Sequence, residues 1–388
     1  MKRRTFVKKA ALAAASLASA GKKPAGAAPP AKTTPHRKLR YVGWQVGLTY
    51  QTRPPGGLDR DYLMRLLDEM AENKMNLLSL MMLSYGYYDP NHDGYCWPVK
   101  NAKLKHYWDA DSINAQPATE FLRGIIAAAA QRSIKIQLFM NWGIWNPDKI
   151  KRGYPTAALQ ADRRGKSTGW LHCPDAPGAW QAGLDEVADL LTFYDHPNVT
   201  SYAFERISYA GGRNRCFCPH TREQYRRQTG RDILEASDKQ IEAWKNKHIG
   251  ACLEQYVRHI KRIRKDIRVL LHTQCAPGWG HDPARLKSHG IDGLQPHTIQ
   301  FHETKDTLYK KWKRLAPNPL VLHFCTRDRR PTNYKLWIKT PEIIAQAIDW
   351  AVQYPGDNLT GLLFFNETAT SPTNKKAVYE QIKRFDWP

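Results

Sequence analysis

Short apolar runs alternate with longer amphipathic segments from residue 41 to the end of the chain. Eight of the runs have the length and the β-branched and aromatic content of strands. Several are continuously apolar, as expected for parallel strands that are covered on both faces. The predicted strands are 41–49, 76–83, 134–141, 199–205, 267–274, 291–297, 320–326 and 360–366.

Helical patterns, with apolar residues three or four positions apart, separate these runs. Clear examples are Leu63, Leu66, Leu67 and Met70 after the first strand, and Ile344, Ala347, Ile348 and Ala351 before the last. Strand and helix alternating eight times predicts an α/β fold of the (β/α)8 TIM barrel type. A doubly wound open sheet is the alternative, which is weakened because no strand is followed by a Gly-rich phosphate loop.

The first forty residues lie outside this alternation. Residues 2–8, KRRTFVK, have the spacing of a twin-arginine export signal, and an Ala-rich apolar stretch leads to an A-x-A cleavage pattern at 18–20. We therefore expect a signal peptide over 1–20, a flexible Pro/Ala/Lys spacer over 21–40 and a single barrel domain over 41–388. The expected location is periplasmic or secreted, in a bacterium. No later segment predicts a transmembrane anchor.

The net charge of +23 changes this picture only modestly, since eleven of the basic residues lie in the first forty positions. A basic exported protein is suited to an acidic glycan that carries uronate or sulfate groups. Nucleic acid is a weaker interpretation, because Arg222, Arg226 and Arg227 on one predicted helix are typical of a solvated face. No zinc-finger spacing or RNA-binding aromatic motif supports it either. We predict no nucleic-acid partner.

On a (β/α)8 barrel the active site lies at the C-terminal ends of the strands. The predicted ends are rich in aromatic, amide and histidine side chains, which suit a carbohydrate cleft because rings stack on sugar faces and amides bond hydroxyls. A Trp there is also typical of a plug that closes the barrel. The candidate substrate-binding residues are Trp44, Gln45, Tyr85, Tyr87, Asn141, Trp142, Trp145, Arg206, His272, Gln274, His297, Arg327 and Asn366.

The fourth predicted strand carries the most specific pattern. HPNV at 196–199 opens a β-rich segment that ends on Glu205, and a C-x-C pair follows at 216–218. This stretch resembles the strand-four region of family 42 glycoside hydrolases and related glycosidases of the retaining clan A. The clan's Asn before the Glu is Phe204 here, and the third Cys of its cluster is Thr221. The resemblance implies glycosidic cleavage with Glu205 as the general acid/base.

Glycoside cleavage needs a second carboxyl group. We rank Glu367 slightly ahead of Asp328, because its Asn-Glu order is the one the clan carries at strand four; Glu303 is third. A salt bridge with Arg206 is the structural alternative for Glu205. The competing function is a non-catalytic glycan-binding barrel. Two departures from the clan favour this alternative: the missing Asn at position 204, and the Asp at the end of strand seven.

Metal chemistry has little support in the sequence. Cys216 and Cys218, with His220 nearby, fall short of the four ligands of a structural zinc site, so we predict no metal and no cofactor. A mononuclear site formed by His272, His297 and His323 on neighbouring strands is a minor alternative. His323 lies inside its strand, where a core role is the simpler interpretation.

Overall fold

The computed structural model describes residues 39–48, 59–84, 94–107, 121–209, 216–276, 278–299, 303–328 and 338–385. The predicted signal peptide, all but the last two residues of the predicted spacer, Tyr85 and Tyr87 therefore lie outside the described residues. The described residues all fall within one unit that spans His36–Pro388.

Eight parallel strands close into a barrel. The strand β8 pairs with β1, and β6 pairs with both β5 and β7, so the ring has no open edge. The (β/α)8 prediction is confirmed, and the open sheet is excluded. The strands are β1 (Tyr41–Gly47), β2 (Leu77–Met81), β3 (Lys135–Asn141), β4 (Val199–Glu205), β5 (Arg268–His272), β6 (Gly293–Leu294 and His297–Thr298), β7 (Leu320–Cys325) and β8 (Leu359–Phe365).

Helices surround the barrel, and local sequence signals set where they begin. Asp59 accepts a hydrogen bond from the backbone of Tyr62 at the start of α1, and Ser237 and Gln240 form a capping box at the start of α6. The described helices are α1 (Arg60–Glu72), α2 (Phe121–Gln131), α3 (Pro147–Gly153), α4 (Pro177–Phe193), α5 (Pro219–Thr229), α6 (Asp238–Ile263), α7 (Pro283–Leu286), α8 (Lys305–Leu315), α9 (Pro341–Gln353) and α10 (Pro372–Ile382).

Smaller elements decorate the loops that follow the strands. Leu83–Ser84 pairs with Gly94–Tyr95, and Leu159–Ala161 pairs with Ser167–His172, both antiparallel. Single 3-10 turns occur at Lys105–Tyr107, Ile233–Glu235, Lys287–His289 and Glu367–Ala369. Within the described ranges, no helix combines the length and the apolarity that crossing a bilayer requires.

Alternation along the strands gives the barrel an outer apolar layer and a mixed interior. The interior apolar side chains include Phe139, Leu270 and Leu363. Between them, polar side chains form a chain of hydrogen bonds across the barrel: His323 Nε2 to Gln45 Oε1 (3.0 Å), Gln45 Nε2 to Ser79 Oγ (3.2 Å), Ser79 Oγ to Gln137 Oε1 (2.9 Å) and Gln295 Nε2 to Gln137 Oε1 (3.0 Å). The barrel interior is therefore partly polar and held by side-chain hydrogen bonds.

Candidate active site

Three neighbouring strands end at the same level around Glu205. The register pairs Asn141 of β3 with Glu205, and Glu205 with His272 of β5. Glu205 is only 6% exposed, and its carboxylate lies 2.8 Å from Arg206 Nη2 and 3.4 Å from His272 Nδ1. Arg206 adopts a left-handed backbone conformation with φ of 78°, which is uncommon outside glycine and concentrates at functional sites.

The surroundings of Glu205 determine its charge. Burial alone would raise the pKa of its carboxyl group, but the positive charge of Arg206 and the contact with His272 outweigh burial and hold that pKa below its usual value. Glu205 is therefore an ionised carboxylate in the free protein. This suits a base or a nucleophile better than the general acid that the sequence predicts.

Three histidine rings meet beside this carboxylate, one each from β5, β6 and β7. The ring centroids of His272 and His297 are 4.1 Å apart, and those of His272 and His323 are 4.7 Å apart. One ring nitrogen of each lies within 4.8 Å of those of the others. We call these residues the histidine trio. His323, for which a core role is the simpler prediction, is 2% exposed and faces the barrel interior within this group.

Several buried polar atoms around the mouth have no hydrogen-bond partner among the described residues. They are both side-chain atoms of Asn141, Nε2 of His272 and Nδ2 of Asn366. Such atoms are rare in protein interiors, where nearly all polar groups are paired. Their concentration at the ends of β3, β5 and β8 is consistent with groups that bond a ligand. The amide oxygen of Asn366 is used internally, by Gly47 N and Thr368 Oγ1.

The two predicted partners of Glu205 are engaged elsewhere. Glu367 is fully buried, accepts hydrogen bonds of 2.8 Å from the Tyr62 hydroxyl of α1 and forms an ion pair with Lys375 of α10. Asp328 accepts a hydrogen bond of 2.9 Å from the backbone of Ser371, immediately before α10. The carboxyl groups thus join the end of the barrel to α1 and α10, and the structure does not bring them beside Glu205.

Glu303, the third candidate, is linked to His297 of the histidine trio through Lys311. Its Oε1 is 3.0 Å from Lys311 Nζ, and the same ammonium group donates to the backbone oxygen of His297. The other carboxylate oxygen, Oε2, is buried and has no hydrogen-bond partner within the described ranges. Through Lys311, Glu303 is therefore connected to the backbone of His297 in β6.

The predicted tryptophan platforms face away from the barrel interior. Trp44 donates from Nε1 to the Tyr379 hydroxyl of α10 at 3.0 Å, because it alternates with the inward Gln45. Trp145 donates to Glu186 of α4 at 2.8 Å. All three tryptophans are buried, at 2% exposure or less, so Trp44, Trp142 and Trp145 wedge strands against helices rather than stack on a sugar.

Trp142 packs directly against α4. A Cβ at Gly183 of α4 would lie 1.9 Å from Trp142 Nε1, so this glycine makes room for the ring.

The other predicted site residues lie either in the barrel interior or at its mouth. Gln45 belongs to the interior hydrogen-bond chain and is fully buried. Gln274 bonds the backbone of His297 at 3.4 Å, and the Arg327 guanidinium lies 4.4 Å from the Phe365 ring centroid at the end of β8.

Sequence reasoning missed a thiol cluster beneath the loop that follows Glu205. Cys173, which precedes α4, joins Cys216 and Cys218, and their sulfur atoms lie within 4.8 Å of one another. Thr221, which stands where the resembling family has a further Cys, is 3.1 Å from Cys173 Sγ. Three thiols suit zinc, although a closed structural site has four ligands. The only sequence signal was another Cys placed 43 residues before the pair.

Asp175 connects this cluster to the helices. Its carboxylate accepts from the Thr221 and His248 side chains, at 2.6 Å each, and from the Tyr209 hydroxyl at 2.8 Å. Burial would lower the pKa of His248, but the hydrogen bond to Asp175 outweighs it and raises that pKa to about 10. A buried ion pair therefore holds α6 against the segment that precedes α4, and the Tyr209 hydrogen bond connects the loop between β4 and α5 to the same carboxylate.

Comparison with solved structures finds the same fold in proteins that are described as glycosidases. The glycoside hydrolase domain of PgaB (BpsB) from Bordetella bronchiseptica superposes with a TM-score of 0.61 at 12% identity, covering 87% of this chain and 97% of that one. A β-galactosidase from Bacillus circulans sp. alkalophilus gives 0.62 at 12% identity, covering 91% and 56%. The GH20 exo-β-N-acetylglucosaminidase of Vibrio harveyi gives 0.52, also at 12% identity, covering 89% and 53%.

These likenesses concern the fold. This chain spans only about half the length of the last two proteins. Neither a known family profile nor a curated protein sequence matches it. At such identity, chemistry must be argued from the site itself.

Proposed function

We propose that this protein is an exported glycoside hydrolase that cleaves O-glycosidic bonds in an oligo- or polysaccharide. The observation that carries the proposal is the buried carboxylate of Glu205 at the mouth of the closed barrel, between Asn141 and His272 and paired with Arg206. Structural neighbours described as glycoside hydrolases support it at the level of fold.

The chemistry follows from the charge of Glu205. An ionised carboxylate either attacks the anomeric carbon or takes a proton from the attacking water, while a second group must protonate the leaving oxygen. We propose Glu303 as this second carboxyl group, because its Oε2 lacks a partner among the described residues and Lys311 ties it to β6. In this role Glu303 exchanges its ion pair with Lys311 for a proton before it protonates the leaving oxygen. This replaces the predicted pairing of Glu205 with Glu367 or Asp328.

Basic side chains support an acidic sugar as substrate. The Arg327 guanidinium lies over the Phe365 ring at the end of β8, whereas Arg206 and Lys311 are already paired with Glu205 and Glu303. Arginine forks match carboxylate and sulfate groups well. A uronate-containing or sulfated glycan is therefore the proposed substrate class.

The decisive experiment compares hydrolysis of neutral and acidic glycans by the wild-type protein and Glu205→Gln. Without the charge, kcat/KM should fall by about 10³-fold or more, with little change in the melting temperature. The matched control is Glu254→Gln on α6, whose side chain is 43% exposed and pairs with Arg258; it should leave hydrolysis unchanged. If the wild type binds glycans without turnover, and Glu205→Gln binds them equally, the non-catalytic glycan-binding barrel is the better description.

Export is tested separately. Replacing both arginines of the predicted twin-arginine pair, Arg3→Lys with Arg4→Lys, should retain the protein in the cytoplasm, because the pair is what the export machinery reads. Fractionation of cells that express the full chain measures this. Unchanged export would remove the twin-arginine assignment and leave the enzymatic proposal intact.

A further inference from the structure

We infer that the histidine trio, His272, His297 and His323, binds one divalent first-row transition-metal ion at the C-terminal mouth of the barrel. This site goes beyond the proposed function, and it stands or falls independently of glycoside cleavage. Three imidazoles that share one ion suit zinc, cobalt, nickel or copper rather than magnesium or calcium.

The spacing of the ring nitrogens fits a shared metal ion. His297 Nδ1 and His323 Nδ1 are 3.5 Å apart. Two nitrogens on one tetrahedral ion with bonds of about 2.0–2.1 Å lie about 3.3 Å apart, so the two atoms already have nearly the separation that a shared ion requires. The third ring, that of His272, supplies a nitrogen within 4.8 Å of both.

A hydrogen bond behind the His323 ring orients that ring for metal binding. Gln45 Oε1 can only accept, so His323 Nε2 donates to it at 3.0 Å, which leaves the lone pair on His323 Nδ1 facing the trio. An outer partner of this kind, an amide oxygen, fixes the ring orientation of a metal-binding histidine. The Glu205 carboxylate lies 3.4 Å from His272 Nδ1, and neither ring nitrogen of His272 has a hydrogen-bond partner in the described part of the chain, so both are available to a ligand.

The local charges permit a cation. Arg206 is paired with Glu205, and Lys311 is paired with Glu303, so two of the nearby positive charges are balanced by carboxylates. Three protein ligands leave a fourth position open, as in catalytic rather than structural zinc sites. The ligand class for that position is an oxygen donor: water in the free protein and, where the proposed function holds, a hydroxyl or carboxylate of the bound sugar.

The test measures metal binding by the purified full-length chain after removal of bound metal with a chelator. Titration with Co²⁺ should give visible absorption bands of a nitrogen-ligated tetrahedral ion, saturating at one ion per chain. Any Co²⁺ on the cysteine cluster adds sulfur-to-cobalt charge-transfer absorption in the near ultraviolet, which separates the two sites. His297→Ala should abolish the visible bands of the trio, whereas His259→Gln, a half-buried histidine of α6, should leave them unchanged.

A second variant tests the outer partner. Gln45→Leu removes the acceptor behind His323 and should weaken Co²⁺ binding by about 10–100-fold without removing a ligand. Unchanged Co²⁺ affinity in a folded His297→Ala protein overturns the inference. Should that variant not fold, X-ray absorption of the zinc-loaded wild type decides: imidazole scattering is expected, and a first shell of sulfur alone refutes the site.

Discussion

At the residue scale, the charge of Glu205 depends on its neighbour in sequence. Without the guanidinium of Arg206, burial would raise the pKa of Glu205 with less opposition. Under the proposed function, the ionised form is required, so Arg206→Gln should move the acid limb of kcat/KM to higher pH. Arg327→Gln is the comparison, since this arginine is not among the groups that lower the pKa of Glu205; it should raise KM and leave the acid limb in place. An unmoved acid limb in Arg206→Gln would contradict the assignment.

A second residue-scale prediction concerns Glu186 of α4, which is fully buried and has a pKa raised to about 8 by burial. An unfolded glutamate titrates near 4.3, so the stabilising contribution of the protonated form is complete below about pH 4 and is lost as pH rises towards 8. Glu186→Gln keeps an acceptor for Trp145 and cannot ionise. It should be about 1–3 kcal/mol more stable than the wild type at pH 8 and equal to it near pH 4.

Urea unfolding at several pH values measures this difference. The exposed substitution Glu254→Gln should leave the pH dependence of the wild type unchanged. If Glu186→Gln and the wild type lose stability in parallel between pH 4 and pH 8, then Glu186 is not the group responsible for the loss.

Sequence alone placed Glu205 at the end of β4, because a carboxylate closes a β-rich run there. It did not find Glu186, Cys173 or Asp175, which lie in or beside helical and loop segments with no motif. Their importance arises from contacts between residues far apart in sequence, such as the bond from Trp145 to Glu186, 41 positions apart, and that from His248 to Asp175, 73 positions apart. Local patterns carry no information on such pairs.

At the element scale, the prediction is that Asp175 fastens α6 to the loop between β4 and α5. Asp175→Asn removes the charge that pairs with His248 and leaves Thr221 and Tyr209 with a weaker acceptor. The cost should be about 2–4 kcal/mol at pH 6, since breaking a buried ion pair leaves an uncompensated charge. Because the folded pKa of His248 is about 10, above the unfolded value near 6.5, the stabilisation is complete below pH 6.5 and is lost as pH rises through 10.

Chemical unfolding at pH 6 and at pH 10 checks this prediction. The difference in unfolding free energy between the wild type and Asp175→Asn should be smaller at pH 10 than at pH 6. Thr221→Val, which removes a single donor to Asp175, should cost less than Asp175→Asn at pH 6. A constant gap would show that the ion pair is not the source of the stabilisation.

Strand and helix periodicity predicted the elements well, with two informative differences. The sixth strand is split into Gly293–Leu294 and His297–Thr298, and Pro296 between them has no backbone N–H to donate to a neighbouring strand. Trp44 within β1 and Trp142 directly after β3 face helices because they alternate with the inward Gln45 and Asn141. A one-residue difference in position decides which face a side chain occupies, so a list of strand-end residues mixes both faces.

At the scale of the whole molecule, the interior hydrogen bonds connect strands that are distant in sequence. Gln137 of β3 is the central residue: its Oε1 accepts from Ser79 of β2 and from Gln295 beside β6, across the barrel. Its Nε2 reaches Ser201 of β4 only at 3.5 Å. The chain of bonds ends at His323, so the polar interior continues into the histidine trio.

Gln137→Leu should therefore destabilise the barrel by about 1–3 kcal/mol, because Ser79 and Gln295 lose their acceptor in a region without solvent. Ser201→Ala is the matched control. It removes only the long contact between Gln137 Nε2 and Ser201 Oγ, and it should cost less than about 1 kcal/mol of stability. Urea unfolding compares the two variants. Equal costs would mean that volume rather than hydrogen bonding governs this layer. A larger cost for Gln137→Leu, accompanied by altered Co²⁺ bands, would show that the interior chain also sets the orientation of His323.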